Sequence, residues 1–321
     1  MRALLLLPLA LCAPPRVSYS PTYDVTAEYG VEYARALANC TNGTDAATCD
    51  AAGFSLTLDR FSPRGGDGTP RPALVLVHGG SYCILNASEL WPQAAWFAAR
   101  GFVAVSINYR LAGDHGLYPP GYDAWAPPFN ASGWWGNNWN HMYGAVRDAK
   151  AAVRWVRANA AALGVDERAI LAYGSSAGAC SAIGLGNVFE ADYKDELASV
   201  DPTLATTHRE QSSRVAAVID HWGAVYAPDA VAFADGVSRY GNASAPTVAY
   251  HGLNDTTIVP DNSVWLCDTL RAVGVACALH LFANASHGCW NETVDGRTQD
   301  EDALLWLASQ GLVSLDDDGL S

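Results

Sequence analysis

Short runs of almost wholly apolar, often β-branched residues recur along the chain and alternate with longer segments of helical character. Apolar strands without an alternating polar face are typical of parallel sheets, which helices cover on both faces. The pattern therefore predicts an α/β fold with a mostly parallel central sheet. The predicted strands are Ala73–Val77, Val103–Asn108, Ile170–Tyr173, Val215–Ile219, Thr247–His251 and Ala278–Phe282.

The clearest helical periodicity extends from about Met142 to Leu163, where apolar residues recur at steps of three and four. Gly164 follows directly, and glycine commonly ends helices. Two segments, 112–141 and 187–214, depart from the alternation, because the first is rich in Pro, Gly, Asn and Trp and the second is polar and mixed. Long segments of this kind in a compact domain are usually functional. We expect them to be insertions that form a small cap.

The N-terminus has the pattern of a secretory signal peptide: Met1-Arg2, an apolar run from Ala3 to Ala13, then small and polar residues. We predict a signal peptide over residues 1–20 and a single domain over 21–321. The apolar run is shorter than the roughly 20 residues that a membrane helix needs, and no later run reaches that length. The prediction is a protein of the secretory-pathway lumen or the extracellular space without a membrane span.

Composition narrows the class of protein further. Half of the residues are hydrophobic (50%) and 16% are charged, which favours a globule with a sizeable core over a disordered chain. Lys and Arg number 19 against 33 Asp and Glu, a formal net charge of −14. Because phosphate is repelled by such a surface, nucleic acid is not an expected partner.

Secretion changes how the cysteines are interpreted, because an oxidising compartment favours disulfides. Cys40 and Cys49 flank a short polar stretch, and Cys267 and Cys277 bracket a predicted helix end and the next strand. Both pairs are candidate disulfides. The other cysteines lack the CxxC or Cys/His spacing of a zinc site, so no metal is expected.

Asn-x-Ser/Thr sequons are frequent, which agrees with a secreted glycoprotein. We expect glycans at Asn39, Asn42 and Asn242, and none at Asn254, which lies too close to the candidate chemistry described next. The remaining sequons begin at Asn86, Asn130, Asn284 and Asn291.

The strongest chemical signal is Gly174-Ser175-Ser176-Ala177-Gly178, which directly follows a predicted strand and precedes a predicted helix, Ala177–Gly186. This is the G-x-S-x-G nucleophile elbow in its strand–turn–helix context. The tight turn forces a strained backbone at Ser176, and the flanking glycines let strand and helix approach each other. Ser176 is therefore the candidate nucleophile.

A serine nucleophile needs a base and an acid that orients the base. In this topology they follow the serine in the order acid, then histidine, at the ends of later strands. Asp255 follows the predicted strand Thr247–His251, and His287 follows Ala278–Phe282, so we expect them to be the acid and the base. Asp220 is the alternative acid and His221 the alternative base, since both border another strand end.

His78-Gly79-Gly80-Ser81 follows the strand Ala73–Val77 and resembles an oxyanion loop. Its unobstructed amides, those of Gly79 and Gly80, are expected to converge with the amide of Ala177 on a substrate oxygen. We expect His78 to brace the loop. Because this loop and the His287 loop would border one cleft, a Cys83–Cys289 disulfide is a further hypothesis.

Together these motifs resemble the α/β-hydrolase superfamily, and within it the hormone-sensitive-lipase-like and feruloyl-esterase-like carboxylesterases. The resemblance extends from about Phe54 to Leu312 and also rests on Asn108-Tyr109-Arg110, on Asp148 and on Arg154-Trp155. The chain departs from the family pattern at Ser81, where many members have a third glycine, and at Ala179, where a second glycine is common.

The resemblance implies a secreted serine esterase without a metal or organic cofactor, acting on a small-molecule or carbohydrate-linked ester. Aromatic residues that we expect to line the substrate pocket are Tyr82, Trp125, Trp134, Trp135 and Trp139. Two other interpretations remain open: a secreted peptidase of the same fold, and a non-catalytic receptor or adhesion module. The sequence does not indicate an oligomeric state.

Overall fold

The computed structural model describes residues 13–65, 68–125 and 134–316, without the side chains of residues 123, 125 and 134–139. The strands are β1 (Arg16–Val17), β2 (Val25–Ala36), β3 (Phe54–Pro63), β4 (Arg71–Val77), β5 (Val103–Ile107), β6 (Val165–Ser175), β7 (Val218–His221), β8 (Thr247–Gly252), β9 (Cys277–Phe282), β10 (Thr293–Val294), β11 (Arg297–Thr298) and β12 (Ser314–Leu315). Eight of them form a central sheet with the order β2-β3-β5-β4-β6-β7-β8-β9. β3 is antiparallel to both neighbours, and the other pairings in this sheet are parallel.

Helices cover the two faces of this sheet, as the apolar strand pattern predicts. They are α1 (Trp91–Ala98), α2 (Trp134–Ala158), α3 (Ala160–Leu163), α4 (Ala177–Asn187), α5 (Tyr226–Asp235), α6 (Asp261–Ala272) and α7 (Gln299–Ser309). Along β4, Val75 and Val77 belong to one hydrophobic cluster, which includes apolar residues of α2, α4, α5 and α6. Leu74 and Leu76 belong to a second cluster, with apolar residues of α1 and α7.

The six predicted strands are all present as β4 to β9, with shifted ends. The sequence pattern did not reveal β2 and β3, which form the antiparallel edge of the sheet. Most of β2 is exposed, so its polar and small residues do not produce a continuous apolar run. A half-exposed edge strand therefore has a weaker sequence signal than the buried parallel strands beside it.

The two predicted insertions differ in structure. Helix α2 begins at Trp134, so the last part of 112–141 is helical, and residues 112–125 contain two short 3-10 turns. In segment 187–214, the main-chain carbonyls of Phe189, Glu190 and Asp192 accept hydrogen bonds from Lys150 of α2. The Thr206 hydroxyl accepts from the Arg35 amide of β2 at 2.8 Å. This segment therefore packs beside α2 and the β2 edge.

A buried ion pair joins the end of β5 to α2. Arg110 donates through Nε and Nη2 to the two carboxylate oxygens of Asp148, at 2.9 and 2.6 Å, and both side chains are 2% exposed. The Arg110 amide donates to the same carboxylate at 3.0 Å. The pair fixes the direction in which the chain leaves β5.

Asp148→Ala is expected to lower the free energy of unfolding by about 3–5 kcal/mol, because it leaves the Arg110 guanidinium buried without a counter-charge. Asp268→Ala is the matched control, since its pair with Arg271 is exposed on both sides and such pairs contribute about 1 kcal/mol or less. Urea denaturation of both variants measures the difference. Equal losses would contradict this role for Asp148.

Residues near the N-terminus pack into the folded body. Arg16–Val17 pairs in parallel with Ser314–Leu315, and Val17 is buried in the second hydrophobic cluster. The Ser18 amide also donates to the Arg100 carbonyl at 3.0 Å. Cleavage after residue 20 would remove these contacts.

The structure contains the disulfides Cys40–Cys49 and Cys267–Cys277. Cys83 and Cys289 are both free thiols, so the predicted bridge between them is wrong, although each follows a loop of the same site. Across the described ranges, no helix has the length and apolarity needed to cross a membrane. Nor do His, Cys, Asp and Glu side chains in those ranges gather into a group that could hold a metal ion.

Candidate active site

The candidate nucleophile lies at the sharp turn between β6 and α4. Ser176 has φ 53° and ψ −122°, a conformation that L residues rarely adopt and that stores strain. A Cβ atom on Gly174 would overlap the Gly178 carbonyl, and one on Gly178 would overlap the Val77 carbonyl. Both glycines are therefore required for the close approach of strand and helix, as the sequence predicts. The turn presents the Ser176 hydroxyl at the start of α4.

The structure brings Ser176, His287 and Asp255 together, although more than 30 residues separate each from the next in sequence. His287 Nε2 lies 2.8 Å from Ser176 Oγ, and His287 Nδ1 lies 2.7 Å from Asp255 Oδ2. The imidazole is 27% exposed, whereas the Asp255 carboxylate is fully buried. This order of contacts lets a neutral His287 donate from Nδ1 to the acid and accept the serine proton at Nε2.

The Asp255 carboxylate has further donors around it. Its Oδ1 accepts from the amides of Thr257 and Ile258, at 2.8 and 3.0 Å. Its Oδ2 also lies 3.2 Å from Nε2 of His251, a histidine that the sequence analysis did not include in the site. A strand histidine four residues before the candidate acid carries no motif of its own, so no sequence pattern pointed to it.

The two alternative residues, His221 and Asp220, lie at the end of β7 and are completely buried. His221 Nδ1 donates to Gln299 Oε1 at 2.8 Å, and burial lowers the pKa of His221 to about 3. Asp220 Oδ1 accepts from the Gly223 amide at 2.8 Å. Within the described residues, no hydrogen bond joins either side chain to Ser176 or His287.

In the loop after β4, one of the predicted oxyanion donors already has a hydrogen-bond acceptor. The Gly79 amide already donates to Glu89 Oε2 at 2.8 Å, so it is not a free donor. In the described ranges, the amides of Gly80, Ser81 and Ala177 have no acceptor. Gly80, Ser81 and Ala177 therefore carry the amides of this region that remain available to an acceptor. The sequence pointed to the right loop, but the Glu89 contact could not be read from it.

The His78 side chain stabilises the conformation of this loop. Its ring stacks on Tyr109 with centroids 4.2 Å apart, and its Nδ1 donates to the Gly79 carbonyl at 2.8 Å. The Tyr109 hydroxyl donates to the carbonyls of His78 and Gly79. Burial lowers the pKa of His78 to about 4, so the ring is neutral near neutral pH. Gly80 has φ +89°, and a Cβ atom there would overlap the Ile84 carbonyl.

The predicted pocket aromatics have different outcomes. Tyr82 is 1% exposed and packs edge-on against Tyr109, with its hydroxyl near Ser181 of α4. Its placement in the substrate pocket is therefore wrong, because the loop turns the ring into the core. The side chains of Trp125, Trp134, Trp135 and Trp139 lie outside the described part of the structure.

Comparison with known proteins agrees with this architecture. The family described as BD-FAE matches residues 137–229. Liver carboxylesterase of Sus scrofa is 30% identical over 141 residues, 43% of this chain and 22% of that protein. Phenmedipham hydrolase of Pseudarthrobacter oxydans is 36% identical over 129 residues, 39% of this chain and 22% of that protein. The chain thus spans about a fifth of the length of these curated relatives.

Among solved structures, esterase 2 of Thermogutta terrifontis, phosphorylated by paraoxon, superposes with a TM-score of 0.62 at 22% identity. The match covers 90% of this chain and 95% of that one. At this level of identity the likeness concerns the fold. The chain is therefore an α/β-hydrolase-fold protein that is similar to carboxylesterases.

Proposed function

We propose that this protein is a secreted serine carboxylic-ester hydrolase. The observation that carries the proposal is the continuous series of contacts from Ser176 Oγ through His287 to the buried Asp255 carboxylate. A serine hydroxyl on a strained turn, beside a histidine and unoccupied amides, is the arrangement that acyl transfer requires. The carboxylesterase relatives support the ester class.

In the proposed mechanism, Ser176 Oγ attacks the ester carbonyl carbon while His287 Nε2 takes the serine proton. The amides of Gly80, Ser81 and Ala177 donate to the oxygen on which negative charge develops. The tetrahedral intermediate collapses, the alcohol leaves with the proton from His287, and an acyl-serine remains. A water molecule then attacks the acyl-serine carbonyl while His287 takes its proton. The carboxylic acid product leaves as Ser176 regains its proton from His287. Asp255 stabilises the imidazolium in both halves.

Treatment with paraoxon, followed by intact mass measurement and peptide mapping, tests this function. We expect one diethylphosphoryl group on Ser176, and we expect p-nitrophenyl acetate and butyrate to be hydrolysed before treatment but not after it. Feruloyl and acetylated-sugar esters, run in the same assay, identify the preferred substrate. Hydrolysis of peptide substrates alone would favour the peptidase alternative, and no labelling at all would favour the non-catalytic module.

We further propose that export depends on a leader that ends before Arg16 rather than after residue 20, because the β1 contacts would otherwise be lost. The two disulfides and the exposed sequon asparagines Asn39, Asn42 and Asn242 support export. Asn254 is exposed as well, and its side-chain Nδ2 donates to the Ala283 carbonyl at 3.3 Å. It remains our prediction that this site is unglycosylated.

N-terminal sequencing of protein exported from eukaryotic cells is expected to begin at or before Arg16. Glycopeptide mapping of the same sample tests the four asparagines. A start beyond Ser20, in protein of unchanged thermal stability, would contradict the shorter leader.

A further inference from the structure

His251 lies at the end of β8, behind the Asp255 carboxylate, and its ring is fully buried. Nε2 is 2.8 Å from the Ile258 carbonyl oxygen, and Nδ1 is 2.7 Å from Ser263 Oγ. Because a carbonyl oxygen only accepts, Nε2 must carry the hydrogen. Burial lowers the pKa of His251, so the ring is neutral and Nδ1 accepts from the Ser263 hydroxyl.

The same Nε2–H faces the acid of the site. It lies 3.2 Å from Asp255 Oδ2, the oxygen that also accepts from His287 Nδ1. The hydrogen bond of Nε2 is to the Ile258 carbonyl, and the carboxylate makes a second, longer contact with the same N–H. The amides of Thr257 and Ile258 donate to Oδ1, so N–H groups surround the Asp255 carboxylate on the side away from His287.

We propose that Ser263 and His251 form a buried hydrogen-bonded pair that positions the Asp255 carboxylate. The Ser263 hydroxyl donates to His251 Nδ1, and the N–H on His251 Nε2 lies against Asp255 Oδ2. Both are positioning residues, since neither contacts the reacting atoms. Their effect on catalysis rests on the proposed function, but their hydrogen bonding does not.

The effect on catalysis is tested with His251→Gln and His251→Phe. Glutamine can place an N–H near the position of Nε2, whereas phenylalanine fills the volume without a donor. We expect His251→Phe to lower kcat about tenfold with KM unchanged, the size of one hydrogen bond to a charged group. The acid limb of its pH–kcat profile should move to higher pH, because an Asp255 with one donor fewer attracts the His287 imidazolium more strongly. His251→Gln should restore both.

The hydrogen bonding of His251 is tested without any activity assay. At neutral pH its ring ¹⁵N signals should show a neutral imidazole with the hydrogen on Nε2.

The outcomes separate the two proposals. A wild-type protein that hydrolyses no ester contradicts the proposed function, while the ¹⁵N signals still decide the hydrogen bonding of His251. A hydrogen on Nδ1 instead of Nε2 overturns the proposed direction of these hydrogen bonds. Equal kcat values for His251→Gln and His251→Phe, whether normal or reduced, overturn the positioning role.

Discussion

Ser176→Ala is expected to lower kcat for p-nitrophenyl butyrate by about 10⁶-fold, the loss seen when the nucleophile of a comparable triad is removed. Without the hydroxyl no acyl-serine forms, and the remaining amides can only assist attack by water. The turn itself should persist, because the glycines at 174 and 178, and not the serine side chain, permit it. A stopped assay over hours, with an unchanged circular dichroism spectrum, measures the loss.

Ser286→Ala provides the control, since this serine is exposed and lies next to His287 in sequence. It should retain activity within about twofold, as expected for a surface substitution. If Ser176→Ala retained the wild-type rate while paraoxon failed to label the wild type, the nucleophile would have to lie elsewhere.

Asp255→Asn should reduce kcat about 10⁴-fold, as in the equivalent change of a Ser-His-Asp triad. The amide removes the charge that stabilises the His287 imidazolium, and its nitrogen can donate to Nδ1. His287 would then carry its hydrogen on Nε2, where it cannot accept the Ser176 proton. Single-turnover measurements of acylation isolate this step.

Asp261→Asn, an exposed substitution at the start of α6, controls for the loss of one negative charge nearby. The Tm of each variant shows whether the protein remains folded under the assay conditions. A kcat for Asp255→Asn within tenfold of wild type, in a folded protein, would favour a different acid.

Much of the fold could be predicted because the parallel strands are buried on both faces and therefore appear as apolar runs. The order Ser176, Asp255, His287 could be predicted for a related reason: the carboxyl ends of parallel strands meet at one edge of a sheet, and the structure brings the three side chains there. The predictions that were wrong depend on the direction in which a side chain points. Nothing in the sequence shows that Glu89 occupies the Gly79 amide, or that Tyr82 turns into the core.

The cysteines illustrate the same limit. Cys40–Cys49 and Cys267–Cys277 are close in sequence, so local chain geometry brings them together. Cys83 and Cys289 belong to distant loops, and proximity of two loops does not set the separation of two particular sulfur atoms. His251 was missed because its contacts with Asp255, Ile258 and Ser263 depend on how the chain turns after β8, which no motif marks.

The Cys267–Cys277 bridge has a practical consequence for anyone who prepares this protein. It fastens α6, which follows the Asp255 loop, to β9, which leads to His287, so one covalent link spans the two elements that hold acid and base in register. Bacterial cytoplasm keeps thiols reduced and would withhold this link, whereas periplasmic or eukaryotic production supplies it. Recombinant material should therefore be assessed for its oxidation state before any rate is attributed to the sequence.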